Sequence, residues 1–194
     1  MDTLKSYTWD SYLFFKSWFS SPKQMGTLFP SSSKTGTKIA GLIKDAENVL
    51  VVELGAGTGQ ITEKILEEGV RVENFATVEF DTGFCKELKK RFPSIKNILN
   101  IDAAEVIKHL PKKFPGQTDY LISTLPLLTL GYEKTRAIID AIFKVLKPKG
   151  VYIQVTLSPF QPKYIKDFGL SATKLCVSWL NVPPMHVWRI CKKT

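Results

Sequence analysis

The residues with the clearest chemical potential form a glycine-rich turn after an apolar run. The run is Val49-Leu50-Val51-Val52, and the turn continues as Glu53-Leu54-Gly55-Ala56-Gly57-Thr58-Gly59. Glycine lets a ligand approach the backbone closely and adopts positive φ angles that other residues reach only at a cost. A turn of this kind, between a first strand and a helix, is typical of nucleotide sites in open α/β sheets. The sequence therefore predicts a nucleotide-type ligand at residues 53–59.

The spacing of the glycines indicates which nucleotide class to expect. The dinucleotide fingerprint G-x-G-x-x-G would need its third glycine at residue 60, which is Gln60. No G-x-x-x-x-G-K-[ST] segment is present, which excludes a standard P-loop.

The cysteines Cys85, Cys176 and Cys191 are widely spaced, so we expect reduced thiols and no metal site.

Two further acidic residues follow strand-like runs. Glu79 lies about twenty residues after the turn, where a carboxylate can accept both hydroxyl hydrogens of a ribose. Asp102, followed by Ala103, ends the next run. A single acid at a strand end is often merely solvated. With Glu53, however, three consecutive strands carry an acid at their ends, which favours one shared site.

The elements that position these residues alternate in type from residue 49 onward. Strands are predicted at residues 49–54, 75–79, 98–101, 120–123 and 151–157, and an antiparallel edge pair at residues 172–180 and 187–191. Helices are predicted at residues 37–44, 61–68, 84–92, 104–110 and 132–146, the last one closed by Pro148 and Gly150. This alternation predicts one α/β domain, Rossmann-like, with a seven-stranded mainly parallel sheet and helices on both faces.

Composition limits the class of protein and of partner. The chain has 194 residues, of which 44% are hydrophobic and 23% charged, as in a globular domain with a buried core. It has neither the ~20 uninterrupted apolar residues of a spanning helix nor a convincing signal peptide, so we expect a cytoplasmic location. The net charge of +9 indicates an anionic partner: nucleic acid, an anionic lipid surface or an acidic substrate.

Residues 1–48 depart from the α/β pattern. Seven of the 22 aromatic residues fall between Tyr7 and Phe19, and Lys5, Lys16 and Lys23 add positive charge. Tyr and Trp favour the membrane–water interface, so the segment is predicted to be an aromatic amphipathic helix that binds a membrane surface. The alternative is that the aromatic stripe packs as a lid over the residue 49–194 core.

Several segments spread over nearly the whole chain carry a family resemblance. Besides the turn at residues 53–59, they are Phe14-Phe15-Lys16-Ser17-Trp18, Pro22-Lys23, Gly26, Pro30-Ser31-Ser32-Ser33, Gln60-Ile61-Thr62, Glu79-Phe80, Ile122-Ser123-Thr124-Leu125-Pro126, Gln154-Val155 and Asn181-Val182-Pro183-Pro184-Met185-His186-Val187-Trp188. With these segments the chain resembles the bacterial phospholipid N-methyltransferases, within the class I S-adenosylmethionine (SAM)-dependent methyltransferases. The turn itself is similar to motif I of that superfamily, although Ala56 stands where some members carry proline.

This resemblance implies SAM as methyl donor, S-adenosylhomocysteine as product, and phosphatidylethanolamine as acceptor at the inner face of the cytoplasmic membrane. The implied cofactor residues are Glu53, Gly55, Ala56, Gly57, Thr58, Gly59, Glu79, Phe80, Asp102, Ala103 and Ser123. The candidate catalytic residues are Ser123, Leu125 and Pro126 of an acceptor loop, with Tyr12 and His186 as possible proton acceptors. His186 has a purely structural alternative. Pro30, Ser31 and Ser32 are candidates for lipid binding or for capping the next helix.

The ribosomal-RNA adenine dimethyltransferases are the main alternative family. Their acceptor loop reads Asn/Asp-x-Pro-aromatic, whereas Thr124 and Leu127 occupy the Asn/Asp and aromatic positions here. A planar base would lack its stacking partner, and we do not expect a separate RNA-binding lobe in so short a chain. We therefore expect a lipid acceptor, no nucleic-acid partner and no obligate protein partner. RNA adenine and another small-molecule amine stay open as alternatives.

Overall fold

Seven strands form one twisted sheet in a computed structural model that describes residues 31–160, 163–178 and 184–193. The strands are β1 (Val51–Leu54), β2 (Phe75–Val78), β3 (Ile98–Leu99), β4 (Thr118–Ser123), β5 (Leu146–Thr156), β6 (Leu170–Ser178) and β7 (Met185–Lys192). Their order is β3-β2-β1-β4-β5-β7-β6. The first five strands are parallel, and β7 runs antiparallel to both β5 and β6. The predicted sheet is confirmed.

Helices cover both faces of the sheet, as predicted. They are α1 (Ser31–Ala40), α2 (Gln60–Glu67), α3 (Thr82–Arg91), α4 (Val106–His109), α5 (Tyr132–Val145) and α6 (Lys163–Asp167). On one face the buried cluster includes Ile39 of α1, Ile65 of α2 and Leu88 of α3. The opposite cluster includes Ile138 of α5 and Ile165 of α6. Within the described ranges, no helix is long and apolar enough to cross a membrane.

Side-chain hydrogen bonds shift some element boundaries. The third helix was predicted from residue 84, but α3 starts at Thr82 because Asp81 Oδ1 accepts the backbone N–H groups of Gly83 and Phe84 at 2.8 and 3.1 Å. The strand predicted at residues 98–101 is reduced to β3. There the Asn100 amide turns towards the neighbouring strand and donates to the carbonyl of Glu79 at 2.9 Å. The first helix also differs from its prediction, since α1 covers Ser31–Ala40 whereas residues 37–44 were predicted.

The prediction that Pro148 and Gly150 close the long helix was wrong in its details. The helix α5 ends at Val145, and both residues lie inside β5. The register between β4 and β5 shifts between Thr118 and Tyr120, which is a bulge. A Cβ at Gly150 would lie 2.9 Å from the Thr118 carbonyl oxygen, so glycine is required by this close backbone approach.

Glu53 is a fully buried carboxylate in β1. Its Oε2 accepts hydrogen bonds from Thr62 Oγ1 of α2 at 2.5 Å and from Thr77 Oγ1 of β2 at 3.1 Å. Its Oε1 is buried without a hydrogen-bond partner. Burial raises the pKa of Glu53 to about 7, although the two threonine hydroxyls act in the opposite direction. Glu53 therefore joins three elements directly beneath the glycine turn.

This raised pKa predicts a pH dependence of stability. A carboxyl whose pKa is higher in the folded state stabilises the fold fully below its unfolded value of 4.5, and this contribution is lost as the pH rises through about 7. As the pH rises from about 4.5 to 8, the unfolding free energy of the wild type should fall by up to about 3 kcal/mol more than that of the Glu53→Gln variant. Urea unfolding of both proteins across this range measures the difference. Parallel pH profiles would contradict the burial of an ionisable Glu53.

Candidate active site

The glycine turn joins β1 to α2 with the conformation that its sequence predicts. Gly55, Gly57 and Gly59 have φ angles of 82°, 55° and 81°. A Cβ at Gly55 would lie 2.9 Å from Thr124 Oγ1, and one at Gly59 would lie 2.5 Å from a ring carbon of Phe92. Both the backbone conformation and the available space therefore require glycine at residues 55 and 59.

A cavity opens beside this turn at the carboxyl edge of the parallel strands. Gly55 and Gly57 form one side of it, and Glu79 and Asp102 contribute carboxylates. The apolar lining residues are Val78, Phe80, Phe84, Ile101, Ala103, Leu125, Pro126, Leu130 and Ile138, and the remaining ones are Asp81, Thr124 and Lys134. The structure thus brings together the turn and the acids that follow β2 and β3.

Glu79 is fixed at the junction of the turn and α3. Its Oε2 accepts the backbone N–H of Gly57 at 2.8 Å, and its Oε1 accepts that of Asp81 at 2.7 Å. Burial raises the pKa of Glu79, and the backbone N–H groups oppose this shift. Because each carboxylate oxygen can accept more than one hydrogen bond, Glu79 can still accept from a ribose diol.

Asp102 is held by two groups at the opposite side of the cavity. Its Oδ1 accepts the N–H of Ala104 at 2.9 Å and caps the 3-10 helix Ala103–Glu105, while Oδ2 forms an ion pair with Lys134 of α5. The sequence did not identify Lys134 as a site residue. It lies far from Asp102 along the chain and reaches it only through the packing of α5.

Several predicted cofactor residues support the turn without lining the cavity. Glu53 lies beneath it, Ala56 is buried, and the Thr58 carbonyl accepts a hydrogen bond from Arg91 at 2.8 Å. Gly59 lies against α3, because a Cβ there would be 2.7 Å from a methyl carbon of Leu88. Gly55, Gly57, Glu79, Phe80, Asp102 and Ala103 do line the cavity.

The acceptor loop follows β4 and is tied to the glycine turn. Thr124 Oγ1 donates to the Gly55 carbonyl oxygen at 2.6 Å. Ser123 is fully buried, and its Oγ accepts the backbone N–H of Leu125 at 3.2 Å. Leu125 and Pro126 line the cavity, whereas Ser123 lies behind it. Of the three predicted loop residues, two therefore face the cavity.

Two carbonyl groups of this loop, those of Leu125 and Pro126, are already engaged. The Leu125 oxygen accepts from Gln154 Nε2 at 3.0 Å and from the Leu127 N–H at 2.8 Å. The Pro126 oxygen accepts the N–H and the Oγ1 of Thr129, each at 2.9 Å. A carbonyl oxygen has two lone pairs, so these two acceptors are filled. The loop consequently presents mainly apolar surface to the cavity.

Of the two predicted proton acceptors, only His186 lies among the described residues, and it does not line the cavity. His186 lies on β7 opposite Thr156 and is buried away from the lining residues. Burial lowers the pKa of His186, and the charge of Lys174 lowers it further. Tyr12 and Pro30 lie outside the described residues. Ser31 and Ser32 begin α1, but their side chains are not among those that the structure describes. Among the residues that the structure describes, no histidine or tyrosine lines the cavity.

The lining fits the adenosyl and sulfonium parts of SAM. The turn leaves no room for a Cβ at Gly55, and the buried Glu79 offers acceptors for hydroxyl groups. Asp102 lies beside the apolar Ile101 and Ala103, a combination that suits an adenine ring with its amino group. The negative charge of these carboxylates also suits a sulfonium and an ammonium.

Solved methyltransferase structures share this fold. The magnesium protoporphyrin IX methyltransferase of Synechocystis PCC 6803 with bound SAM superposes with a TM-score of 0.61 at 14% identity, over 84% of this chain and 80% of that chain. A glycopeptide N-methyltransferase complexed with sinefungin gives a TM-score of 0.62 at 11% identity, over 86% and 96% of the two chains. At such identities the similarity establishes the fold.

The position of Glu79 predicts a specific loss in the variant Glu79→Gln. The substitution keeps the size of the side chain, removes its charge and leaves only one oxygen for the N–H groups of Gly57 and Asp81. SAM should therefore bind about 10–100-fold more weakly, the effect of one or two lost charge-assisted hydrogen bonds. Calorimetric titration with SAM measures the affinity, and circular dichroism checks the fold. Glu73→Gln, at an exposed residue of the 3-10 helix Val72–Asn74, is the matched control. Unchanged affinity in Glu79→Gln would remove the ribose assignment.

The sequence relatives of this chain include a lipid methyltransferase and a ribosomal RNA methyltransferase, by their names. The ornithine lipid N-methyltransferase of Singulisphaera acidiphila is 29% identical over 154 residues, which cover 78% of this chain and 80% of the relative. The ribosomal RNA small subunit methyltransferase A of Coxiella burnetii is 31% identical over 132 residues, which cover 64% of this chain. That match spans 50% of the relative's length.

A family model matches most of the described core. The model is that of the ribosomal RNA adenine dimethylases, and it matches residues 19–171. The match includes the glycine turn, Glu79, Asp102 and the acceptor loop. This chain belongs to the ribosomal RNA adenine dimethylase family of SAM-dependent methyltransferases.

Proposed function

We propose that the chain N-methylates the amine of phosphatidylethanolamine, and of its mono- and dimethyl derivatives, at a membrane surface. Family membership makes it a SAM-dependent N-methyltransferase, with SAM as its cofactor. When bound, SAM supplies an electrophilic methyl group on a positively charged sulfur. The open question is which amine the acceptor loop receives.

The acceptor loop is the observation that carries this proposal. Recognition of a planar base relies on a stacking side chain and on hydrogen bonds to its edge. Here Leu127 follows Pro126, and Leu127 is itself buried in the core. The carbonyl groups of Leu125 and Pro126 already accept two hydrogen bonds each. A flexible aliphatic amine needs neither a stacking partner nor a fixed plane.

The apolar wall around the loop suits the chemistry of such an amine. Methyl transfer requires a neutral nitrogen with its lone pair free, and correct positioning supplies much of the rate. Leu125, Pro126 and Leu130 form an apolar wall. Burial against such a wall disfavours an ammonium ion and so lowers the pKa of the amine. The loop thereby favours the reactive form without a dedicated base.

The comparisons support a lipid acceptor and also define the alternative. By its name the Singulisphaera acidiphila relative methylates a lipid, and its match covers more of both chains than the RNA-modifying relative's match does. The family and the second relative favour ribosomal RNA adenine, for which the net charge of +9 would also serve. Residues 1–30 lie outside the described residues. The prediction from their sequence also supports the proposal, because their aromatic and basic side chains suit binding to the surface of an anionic membrane.

A direct comparison of acceptors tests the proposal. The purified chain is incubated with labelled SAM and either liposomes that contain phosphatidylethanolamine or ribosomal RNA. We expect label in the lipid, because the loop lacks the features that hold a planar base. Label in RNA and none in lipid would contradict the proposal.

The engaged carbonyl groups also predict how methylated intermediates behave. Each methylation removes one N–H from the acceptor, but the loop offers no free acceptor at Leu125 or Pro126 that depends on that N–H. The kcat/KM values for mono- and dimethyl phosphatidylethanolamine should therefore lie within about tenfold of the value for phosphatidylethanolamine, the effect of about one ordinary hydrogen bond. Steady-state assays on each lipid in the same micelles measure this. A drop of several hundredfold at either step would show that the loop does read N–H groups.

A further inference from the structure

Two buried side-chain nitrogens on β7 have no hydrogen-bond partner. They are His186 Nδ1 and Trp188 Nε1. The two residues are only 6% and 7% exposed. Buried polar groups without a partner are rare, because each one loses its hydrogen bonds to water and gains none in return. Their occurrence two residues apart on one strand indicates that a group absent from the isolated chain satisfies them.

These nitrogens belong to one face of the sheet. Residues directly opposite each other in antiparallel strands point to the same side. Trp188 lies opposite Gln154 of β5 and Lys174 of β6, and His186 lies opposite Thr156. The four polar side chains of Lys174, Gln154, His186 and Trp188 therefore share a face of the C-terminal hairpin and its neighbour.

Lys174 places a positive charge over this group. Its Nζ lies 4.8 Å from the centroid of the Trp188 ring and donates to the Pro159 carbonyl oxygen at 2.9 Å. Its charge also acts on His186, whose pKa it lowers after the larger effect of burial. Within residues 31–160, 163–178 and 184–193, Lys174 forms no ion pair with a carboxylate. Its charge is thus available to an anion.

The group adjoins the acceptor loop. Gln154 Nε2 donates to the Leu125 carbonyl oxygen at 3.0 Å, and Leu125 lines the cavity. Trp188 is directly opposite Gln154, one strand spacing of about 5 Å further along the sheet. The two nitrogens therefore lie just beyond the place where the acceptor amine would be held.

We propose that Trp188 Nε1, His186 Nδ1 and Lys174 Nζ form a subsite for the phosphodiester of the acceptor lipid. This inference rests on the proposed function. Trp188 and Lys174 can only donate hydrogen bonds, and a neutral imidazole can donate from Nδ1, so the set suits an anion that can only accept. In phosphatidylethanolamine two carbons separate the amine from the phosphate, which matches a phosphate subsite next to the amine loop. The Lys174 ammonium has three N–H donors, and because the Pro159 carbonyl oxygen takes one of them, donors remain for the phosphate.

The variant Trp188→Phe tests this subsite because it removes the N–H and keeps a ring beneath Lys174. With S-adenosylhomocysteine present, glycerophosphorylethanolamine should bind about tenfold more weakly to the variant in calorimetric titrations. KM for phosphatidylethanolamine should rise by a similar factor, with kcat and SAM affinity unchanged. The melting temperature of the ligand-free variant should fall only modestly, because the cavity left by the smaller ring costs stability and the removal of an unpartnered N–H offsets part of that cost.

Two further variants complete the experiment. Lys174→Met should weaken binding of glycerophosphorylethanolamine and reduce its salt dependence. Ser171→Ala is the matched control on the same hairpin, since the Ser171 hydroxyl is exposed and reaches only the Cys191 carbonyl oxygen. It should leave binding and kinetics unchanged.

The outcomes separate this subsite from the proposed function. The subsite would be overturned if the native protein and both variants, Trp188→Phe and Lys174→Met, bound glycerophosphorylethanolamine with equal affinity. That result would show that the Trp188 N–H and the Lys174 ammonium do not bind phosphate. Lipid methylation with an unchanged KM in both variants would overturn the subsite alone. Failure of the native protein to methylate any phosphatidylethanolamine would instead contradict the proposed function.

Discussion

The geometry of the site depends on the hydrogen bonds that the Glu79 carboxylate accepts. The carboxylate accepts the N–H of Gly57 from the turn and the N–H of Asp81 from the start of α3, so one buried side chain fixes the distance between two ligand-facing segments. Burial raises its pKa, and the two N–H groups compensate in part for the lost solvent. Glu53 performs a similar task one layer below, where it joins β1 to β2 and α2. A rigid turn is needed because the close approach of a cofactor tolerates little movement of its glycines.

The same rigidity extends from the cofactor side to the acceptor side. Thr124 ties the acceptor loop to Gly55, and Gln154 holds the Leu125 carbonyl from the neighbouring strand. A methyl group bound at the turn and an amine bound at the loop are thus positioned by connected contacts. In the proposed function the turn holds the cofactor and the loop selects the acceptor. The loop combines an apolar wall with filled carbonyl groups at Leu125 and Pro126, and on that proposal this combination favours an aliphatic amine over a planar base.

The sequence predicted the cofactor side better than the rest of the site, for a physical reason. Glu79 and Asp102 follow apolar runs, and the carboxyl ends of parallel strands must meet at one edge. Lys134 could not be found in this way, because only the packing of α5 brings it to Asp102. Pro148 and Gly150 normally end elements, yet here a bulge accommodates them inside β5. His186 was selected for its chemistry alone, and the register of β7 places it away from the cavity.

Lipid mass spectrometry gives the most direct test of the lipid acceptor. The chain is expressed in a bacterium that makes phosphatidylethanolamine but none of its methylated derivatives, with the Glu79→Gln variant as control. Methylated forms of phosphatidylethanolamine should accumulate with the native chain and be strongly reduced with the variant. An unchanged lipid profile together with new dimethyladenosine in ribosomal RNA would contradict a lipid acceptor and assign the acceptor loop to a nucleic-acid base.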